Sequence, residues 1–185
     1  LVSFGKAAVK AFAADEAAAL RLSTAVDNLG ISFANPAIAK FISELETTAG
    51  VADDVLRPAF QGLLTTTGSL THAQKLLNDA ITISRASGFD LATVAEDLAK
   101  GFVGTTRGLL KYNTGLTKAE IASKSFSDTL GIILTQSAGA ANAYLETTSY
   151  KFDVLTIAVD NAREAIGEGL VDALARAGGG TEAQE

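Results

Sequence analysis

Glu164 and Glu168 stand at i and i+4 in a helical stretch, the spacing that turns two carboxylates onto one face, as general acid–base chemistry requires. Arg163 and Asp172 flank them, so the group reads as a solvated charged stripe. Glu44 with Glu46, and Asp53 with Asp54, do not share a face. His72 is the single histidine, and it falls in the first turn of an expected helix, where the dipole disfavours imidazolium. It is read as an exposed polar residue, and without it no triad can be built. Cysteine is absent, which removes thiol nucleophiles, thiolate zinc sites, Fe–S clusters and disulfides together. The run Gly101-Phe102-Val103-Gly104-Thr105-Thr106-Arg107-Gly108 lacks the Gly-Lys-Ser/Thr ending of a phosphate-binding loop and follows no expected strand, so it is a turn. Arg107, Lys111, Lys118 and Lys124 with Tyr112 form the one basic cluster of note, again a solvated face. No catalytic, cofactor-binding or metal-ligating residue is assigned.

The 185 residues are 48% hydrophobic, 19% charged and 6% aromatic, a balance that fits one globular domain. A net charge of −6 disfavours bulk nucleic-acid binding, and no specific nucleic-acid sequence is expected as a partner. Methionine is absent even at position 1, so the chain is expected to be an excerpt of a longer polypeptide. Lys6, Lys10, Asp15 and Glu16 interrupt the first twenty residues, which lack the regions of a signal peptide. Thr129 to Leu145 is uncharged, but Thr135, Gln136, Ser137 and Asn142 break its apolarity, and a helix pair with a break at Gly139 is expected. The small residues Ala138, Gly139, Ala140, Ala141 and Ala143 would let another helix approach, in lipid or in a bundle.

Helical spacing recurs from end to end, prolines stand only at 36 and 58, and no period-two alternation is sustained. The expected fold is all-α, an irregular bundle of about 7–8 helices in one domain, 1–177, with a long C-terminal helix and a flexible polar tail, 178–185. A first helix from Phe4 to about Asn28 carries Ala8, Phe12, Leu20, Leu22 and Val26 inward and stops at Gly30. Asn35 is the expected N-cap of a second, with Pro36 at its first position and Gly50 at its end. Asp53 or Asp54 opens a third with Leu56, Phe60, Leu63 and Leu64, kinked by Pro58 and closed by Gly68. Thr71 and Gln74 form a capping box for a fourth, with Leu76, Leu77, Ala80, Ile81 and Ile83, ending at Gly88. Asp90 caps a fifth with Leu91, Val94, Leu98 and Phe102, followed by a connection holding a short helix around Leu109. Thr117 with Glu120, and Ser125 with Asp128, start two more helices before Gly139. The last periodic segment, from about Ala140 to Ala175, holds Tyr144, Phe152, Leu155, Ile157, Ala158, Ala162, Ile166, Leu170 and Leu174 and is expected to be one long helix. Gly167 and Gly169 mark a bend or a close helix contact in it.

The run Val51-Ala52-Asp53-Asp54-Val55-Leu56-Arg57-Pro58-Ala59, followed by Leu63, Leu64 and Thr67-Gly68, resembles the core region of bacteriophage tail tape measure proteins. Further elements keep that family's order: Ala73-Gln74-Lys75-Leu76-Leu77 leads to Ala80, Ile81 and the Ala86-Ser87-Gly88 stop, and Asp90-Leu91 opens the helix ending in Ala99-Lys100-Gly101. Gly115-Leu116-Thr117-Lys118-Ala119-Glu120 is similar to the next helix start, and Ile166-Gly167-Glu168-Gly169-Leu170-Val171 with Leu174 to the closing helix. The resemblance covers about Phe4 to Arg176. Tyr150-Lys151 stands where the family usually has Gly-Lys, and the connection after Gly104 lacks the usual Asn-rich turn.

The resemblance implies a structural, non-enzymatic protein of a phage or prophage tail, one whose length sets that of the tail and which leaves the tube during genome ejection. It implies no cofactor. Its implied partners are tail tube and tail tip proteins and tail assembly chaperones, with self-association and host membrane contact also in view. Its implied place is the tail tube lumen of the virion, and the host cytoplasm during assembly. The positions carried over are architectural: Asp53, Leu56, Arg57, Pro58, Gly68, Leu76, Gly88, Leu91 and Gly167. Two other classes stay open, a membrane-active helical segment assisting DNA passage and an unrelated helical adaptor or enzyme. As one continuous helix the chain would span roughly 280 Å, whereas folded its radius of gyration is about 16 Å, so a ruler role requires a compact module that opens.

Overall fold

The computed structural model describes residues 2–112 and 115–179. Among them are eight α-helices and no strand: α1 (Val2–Asn28), α2 (Asn35–Ala49), α3 (Asp53–Thr67), α4 (Leu70–Ser87), α5 (Leu91–Phe102), α6 (Lys118–Ser123), α7 (Phe126–Leu145) and α8 (Thr148–Gly179). Short 3-10 segments precede α2 (Ser32–Ala34) and follow α5 (Thr106–Lys111). The fold is all-α, with a long C-terminal helix.

Five helices and the end of α1 build the core. α3 packs on α4 and α5, and α4 on α7, enclosing Phe60, Leu63, Leu64, Leu77, Ile83 and Leu98 without solvent contact. Leu22 and Val26 of α1, Ile38 and Ile42 of α2 and Leu130 and Ile133 of α7 complete it. α2, α3 and α4 end on left-handed glycines, Gly50, Gly68 and Gly88 (φ 57°, 60° and 75°), a backbone geometry in which a Cβ is strained. Asp90 accepts the Thr93 N–H at 2.8 Å to start α5. Thr117 and Glu120 form the expected capping box of α6, and Ser125 accepts the Asp128 N–H at 3.0 Å to start α7.

Several boundaries differ from expectation. α4 begins at Leu70 and is capped by Ser69, whose hydroxyl accepts the His72 N–H, so Thr71 lies inside the helix. The left-handed turn at Gly68 reverses the chain so sharply that one extended residue suffices before the next helix. Asn35 does not cap α2 either; its side chain donates to Asp27 at 3.1 Å, and Ala34 stands at the cap after the 3-10 turn. α3 continues through Pro58 as one element. Proline's missing donor would have served the carbonyl of Asp54, an exposed residue of the first turn.

α7 runs uninterrupted through Gly139 to Leu145. Gly139 is exposed, while Ser137 and Ala141 around it are buried, and that packing outweighs the roughly 1 kcal/mol that an interior glycine costs. The break falls instead at Glu146 and Thr147. The Thr147 hydroxyl accepts the Tyr150 N–H at 3.2 Å and starts α8, which places Tyr144 on α7. Gly178 and Gly179 close α8 rather than opening a tail, and 180–185 lie outside the described residues.

α8 returns antiparallel along α1. Leu170 meets Gly5, and Gly167 sits against Ala8 and Phe12, so close that an added Cβ would come within 2.2 Å of the Ala8 carbonyl oxygen. Gly167 therefore marks a close helix contact. The inner face of α8 is Ile157, Asp160, Glu164, Gly167 and Val171, all half-buried or buried. Of the apolar residues that make this segment periodic, Phe152, Leu155, Ile166, Leu170 and Leu174 are exposed, as is Leu20 of α1. Gly5, Ala8 and Gly167 allow the close α1–α8 approach, with Leu170 and Phe12 beside them, while Phe152, Leu155 and Leu174 stand open to solvent.

Candidate functional site

Asp15 lies on α1 at the spacing of Ala8, Phe12 and Leu22, hence on that helix's inner face. Asp53 opens α3, one turn before Arg57, and Glu164 comes from the inner face of α8. The three carboxylates converge, with an oxygen of each within 4.8 Å of the others. Arg57 holds two of them together: its guanidinium pairs with Asp53 at 2.5 Å and with Asp15, and donates to the Asp15 main-chain carbonyl at 3.2 Å. From α2, Glu46 adds a fourth carboxylate, bonded to Asn161 of α8, while its Oε1 is buried with no hydrogen-bond partner.

Electrostatics follow from burial and crowding. Burial pushes Glu46 above the ordinary carboxylate range, and the Asp53 and Asp54 charges add to this against the Asn161 hydrogen bond. Asp53 is raised by burial and then by Asp54, despite its ion pair. Glu164 is raised by burial and then by Asp53 and Asp54, with Arg57 opposing. Arg57 itself is lowered by burial. One guanidinium thus serves an excess of acid at the point where α1, α2, α3 and α8 meet. Three close carboxylates are a donor set that a hard cation could use, but Arg57 already lies within hydrogen-bond distance of two of them. The arrangement is a clasp: Arg57 ties α1 to α3 through Asp15, and the Glu46–Asn161 hydrogen bond ties α8 to α2, with Glu164 beside them.

Beside the clasp runs a groove of about 860 Å³ between α1, α3 and α8. Ala7, Ala11, Ala14 and Ala18 of α1 line it, with Pro58 and Gln61 of α3 opposite. It contains no nucleophile paired with a base.

The structure divides the expected positions into two groups. Asp53, Arg57 and Pro58 stand at the clasp and groove, and Gly167 in the α1–α8 seam that the clasp closes. Leu56, Leu76 and Leu91 are buried in the core, and Gly68 and Gly88 end α3 and α4. Asp15 and Asn161 escaped the sequence reading, and Glu164 was legible only as part of a solvated stripe. A signal for Asp15 existed, since an acid on the apolar face of a helix needs a cationic partner. His72 is exposed, its ring 5.5 Å from that of Phe102.

A second polar group holds the connection after α5. Asp97, buried, accepts the Tyr112 hydroxyl and the Lys111 ammonium, both at 2.7 Å. Gly108 crosses directly above it, where an added Cβ would lie 2.3 Å from the Asp97 carboxylate. Burial first, then the contact with Asp97, raise the Tyr112 phenol. Lys111 is therefore a structural partner rather than part of an open basic face. α7 buries Thr129, Leu130, Ile133, Ser137 and Ala141, and among the described residues no helix is long and apolar enough to cross a membrane. No protein-family model, curated protein or solved structure matches the chain.

Proposed function

We propose that this chain is a structural module of a phage tail tape measure protein, a folded helical unit that contributes length to the assembled tail and is released with the genome. The observation that supports it is the order of the resembling runs, from Val51-Ala52-Asp53 through Ile166-Gly167-Glu168, combined with the roles of their residues. Those residues are helix stops, core contacts and clasp members, as a scaffold requires. The module acts in two forms. In the free form α1 and α8 are clasped to the core; in the tail they are drawn out, because the compact unit is far shorter than its own contour as a helix.

The clasp is where opening starts. Among the described residues α8 contributes no side chain to the buried apolar core, so its release exposes little large apolar surface, while the carboxylates at its seam gain water. Length is the direct test. Deleting and, separately, duplicating the 32 residues of α8 in the genome that encodes the chain changes tail length in opposite directions by about 48 Å each in electron micrographs, at about 1.5 Å per residue. Tails of unchanged length in both strains overturn the ruler role. Uniformly high hydrogen-exchange protection, with no opening of α8 below the global transition, overturns the two-form mechanism.

A further inference from the structure

A short strap crosses α5: the 3-10 segment Thr106–Lys111, six residues long, with Tyr112 after it. Runs of this geometry usually stop at about three or four residues because their hydrogen bonds are poorer than those of an α-helix, so most of the fastening falls to side chains. Leu109 is wholly buried, and Gly101 of α5 leaves it room, since an added Cβ there would come within 3.3 Å of the leucine. The polar fastening is Asp97. Its Oδ2 accepts both the Tyr112 hydroxyl and the Lys111 ammonium, and the ammonium also lies 5.0 Å from the ring centroid of Phe89 and 5.4 Å from that of Tyr112, two rings that meet edge to face. The segment that supplies these partners also keeps water out, because Gly108 crosses directly above the carboxylate. Lifting the strap therefore hydrates Asp97 in the same step, whereas losing one partner beneath a closed strap would leave a buried charge short of a bond.

We propose that Asp97, Lys111 and Tyr112 form a latch, and that the strap lifts from α5 as a unit of its own while the helices around it stay folded. Those helices have their own support: α5 packs on α3 and α4, and α7 on α4, with Leu91, Val94 and Leu98 of α5 and Leu130 and Ile133 of α7 in the common core. Lifting the strap uncovers little of its own surface, since Leu109 and Tyr112 are the only residues of Thr106–Tyr112 that are buried. The ion pair sets how firmly the latch holds. Lys111 keeps 36% of its side chain exposed, so dissolved salt reaches and screens the attraction. The latch shares no residue with the clasp and is independent of the proposed tail role.

Peptide-resolved hydrogen exchange of the whole chain reads the lifting directly. The strap amides, Leu109 to Tyr112, should exchange at least about tenfold faster than those of α5 beneath, after correction for intrinsic rates. Lys111→Met keeps an apolar stem over the rings and removes the charge, and Asp97→Asn keeps the shape and can still accept the Tyr112 hydroxyl. Each should speed the strap by a further factor of about ten and leave α3, α4 and α8 unchanged. The double variant should be no faster than the faster single one, because both changes remove the same ion pair. Raising NaCl from about 0.05 to about 1 M should speed the strap of the parent and not that of Lys111→Met. Lys111 is exposed, so its variant and the salt series decide the matter even where Asp97→Asn does not fold. A strap that exchanges only together with α5 overturns the proposal, and so does an acceleration that spreads to α3 and α4, since either makes the group part of the core. Effects that add in the double variant, or a parent strap indifferent to salt, overturn the latch.

Discussion

The helices of the core and the α1–α8 pair are made from the same residue types but are closed in opposite ways. Around α3, large side chains such as Phe60, Leu63 and Leu64 are wholly buried, and the cohesion is apolar area and packing. Between the upper parts of α1 and α8 the contact is Gly5, Ala8 and Gly167, with Asp15, Arg57 and Glu164 at its base. Close backbone approach and charge replace volume there. Stability should therefore be unequal across the molecule, with the outer pair opening below the free energy that unfolds the core.

The largest effect should separate the two regions outright. Phe60→Ala empties a fully buried site and should cost about 3–5 kcal/mol in denaturant unfolding. Leu155→Ala, on the exposed face of α8, should stay within about 0.5 kcal/mol at dilute protein concentration. A cost above about 1.5 kcal/mol for Leu155→Ala would mean that α8 is embedded in the core, and would break the comparison.

Gly167→Ala should sharpen it. The new Cβ meets the Ala8 carbonyl at 2.2 Å, a backbone atom that cannot turn aside. Overpacking of about 1–3 kcal/mol, partly offset by the roughly 1 kcal/mol helix preference of alanine, leaves a net loss of about 1–2 kcal/mol. The loss should be local. Hydrogen exchange should accelerate in α8 and in the first half of α1, while α3 to α5 keep their protection.

The clasp responds to pH in a direction opposite to the caps. Glu46, Asp53 and Glu164 are raised in the folded protein, so folding disfavours their ionised forms. That penalty is fully present above the raised values and disappears as pH falls to the ordinary carboxylate range. Asp90 and Glu120, which cap α5 and α6, are lowered by their hydrogen bonds to Thr93 and Thr117. Their contribution is present above the ordinary range and is lost as pH falls through the lowered values. Between pH 7 and about 5, α8 should gain exchange protection, corrected for intrinsic rates, and Glu164→Gln should reduce that gain. A loss of α8 protection over the same interval would show the clasp to be held by ionised carboxylates. Arg57→Met, which leaves Asp15, Asp53 and Glu164 uncompensated, should weaken the outer pair by about 1–3 kcal/mol at pH 7 and by less at pH 5.

Local chemistry was readable in the sequence and tertiary choice was not. Asp90, Thr117 with Glu120, and Ser125 with Asp128 cap the helices their spacing names, because each cap needs only residues three apart. The core stripes of α3 and α4 were likewise legible, since nearly every large residue on one face is buried. α8 misled because it is apolar on two faces, and periodicity cannot say which one a neighbour will cover. Leu155 and Ile166 belong to the apolar periodicity yet are exposed, whereas Gly167 and Glu164 face α1. The clasp was hidden for a related reason. Its members come from positions 15, 46, 53, 57 and 164, and only Asp53 with Arg57 share an element.

Gly139 offers the smallest and cleanest test. It lies in mid-α7, exposed, and an added Cβ would meet nothing within 4 Å. Gly139→Ala should therefore stabilise the protein by about 0.5–1 kcal/mol, through helix preference and a less free unfolded chain. Because α7 packs on α4, the gain should appear in global unfolding and leave the opening of α8 where it was. Were Gly139 the hinge that its sequence suggests, the same substitution would instead slow the opening of α8 and alter exchange at the elbow. A gain in the core with no change at the elbow is the result expected of a joint at Glu146 and Thr147, where the chain leaves α7 and the Thr147 hydroxyl starts α8.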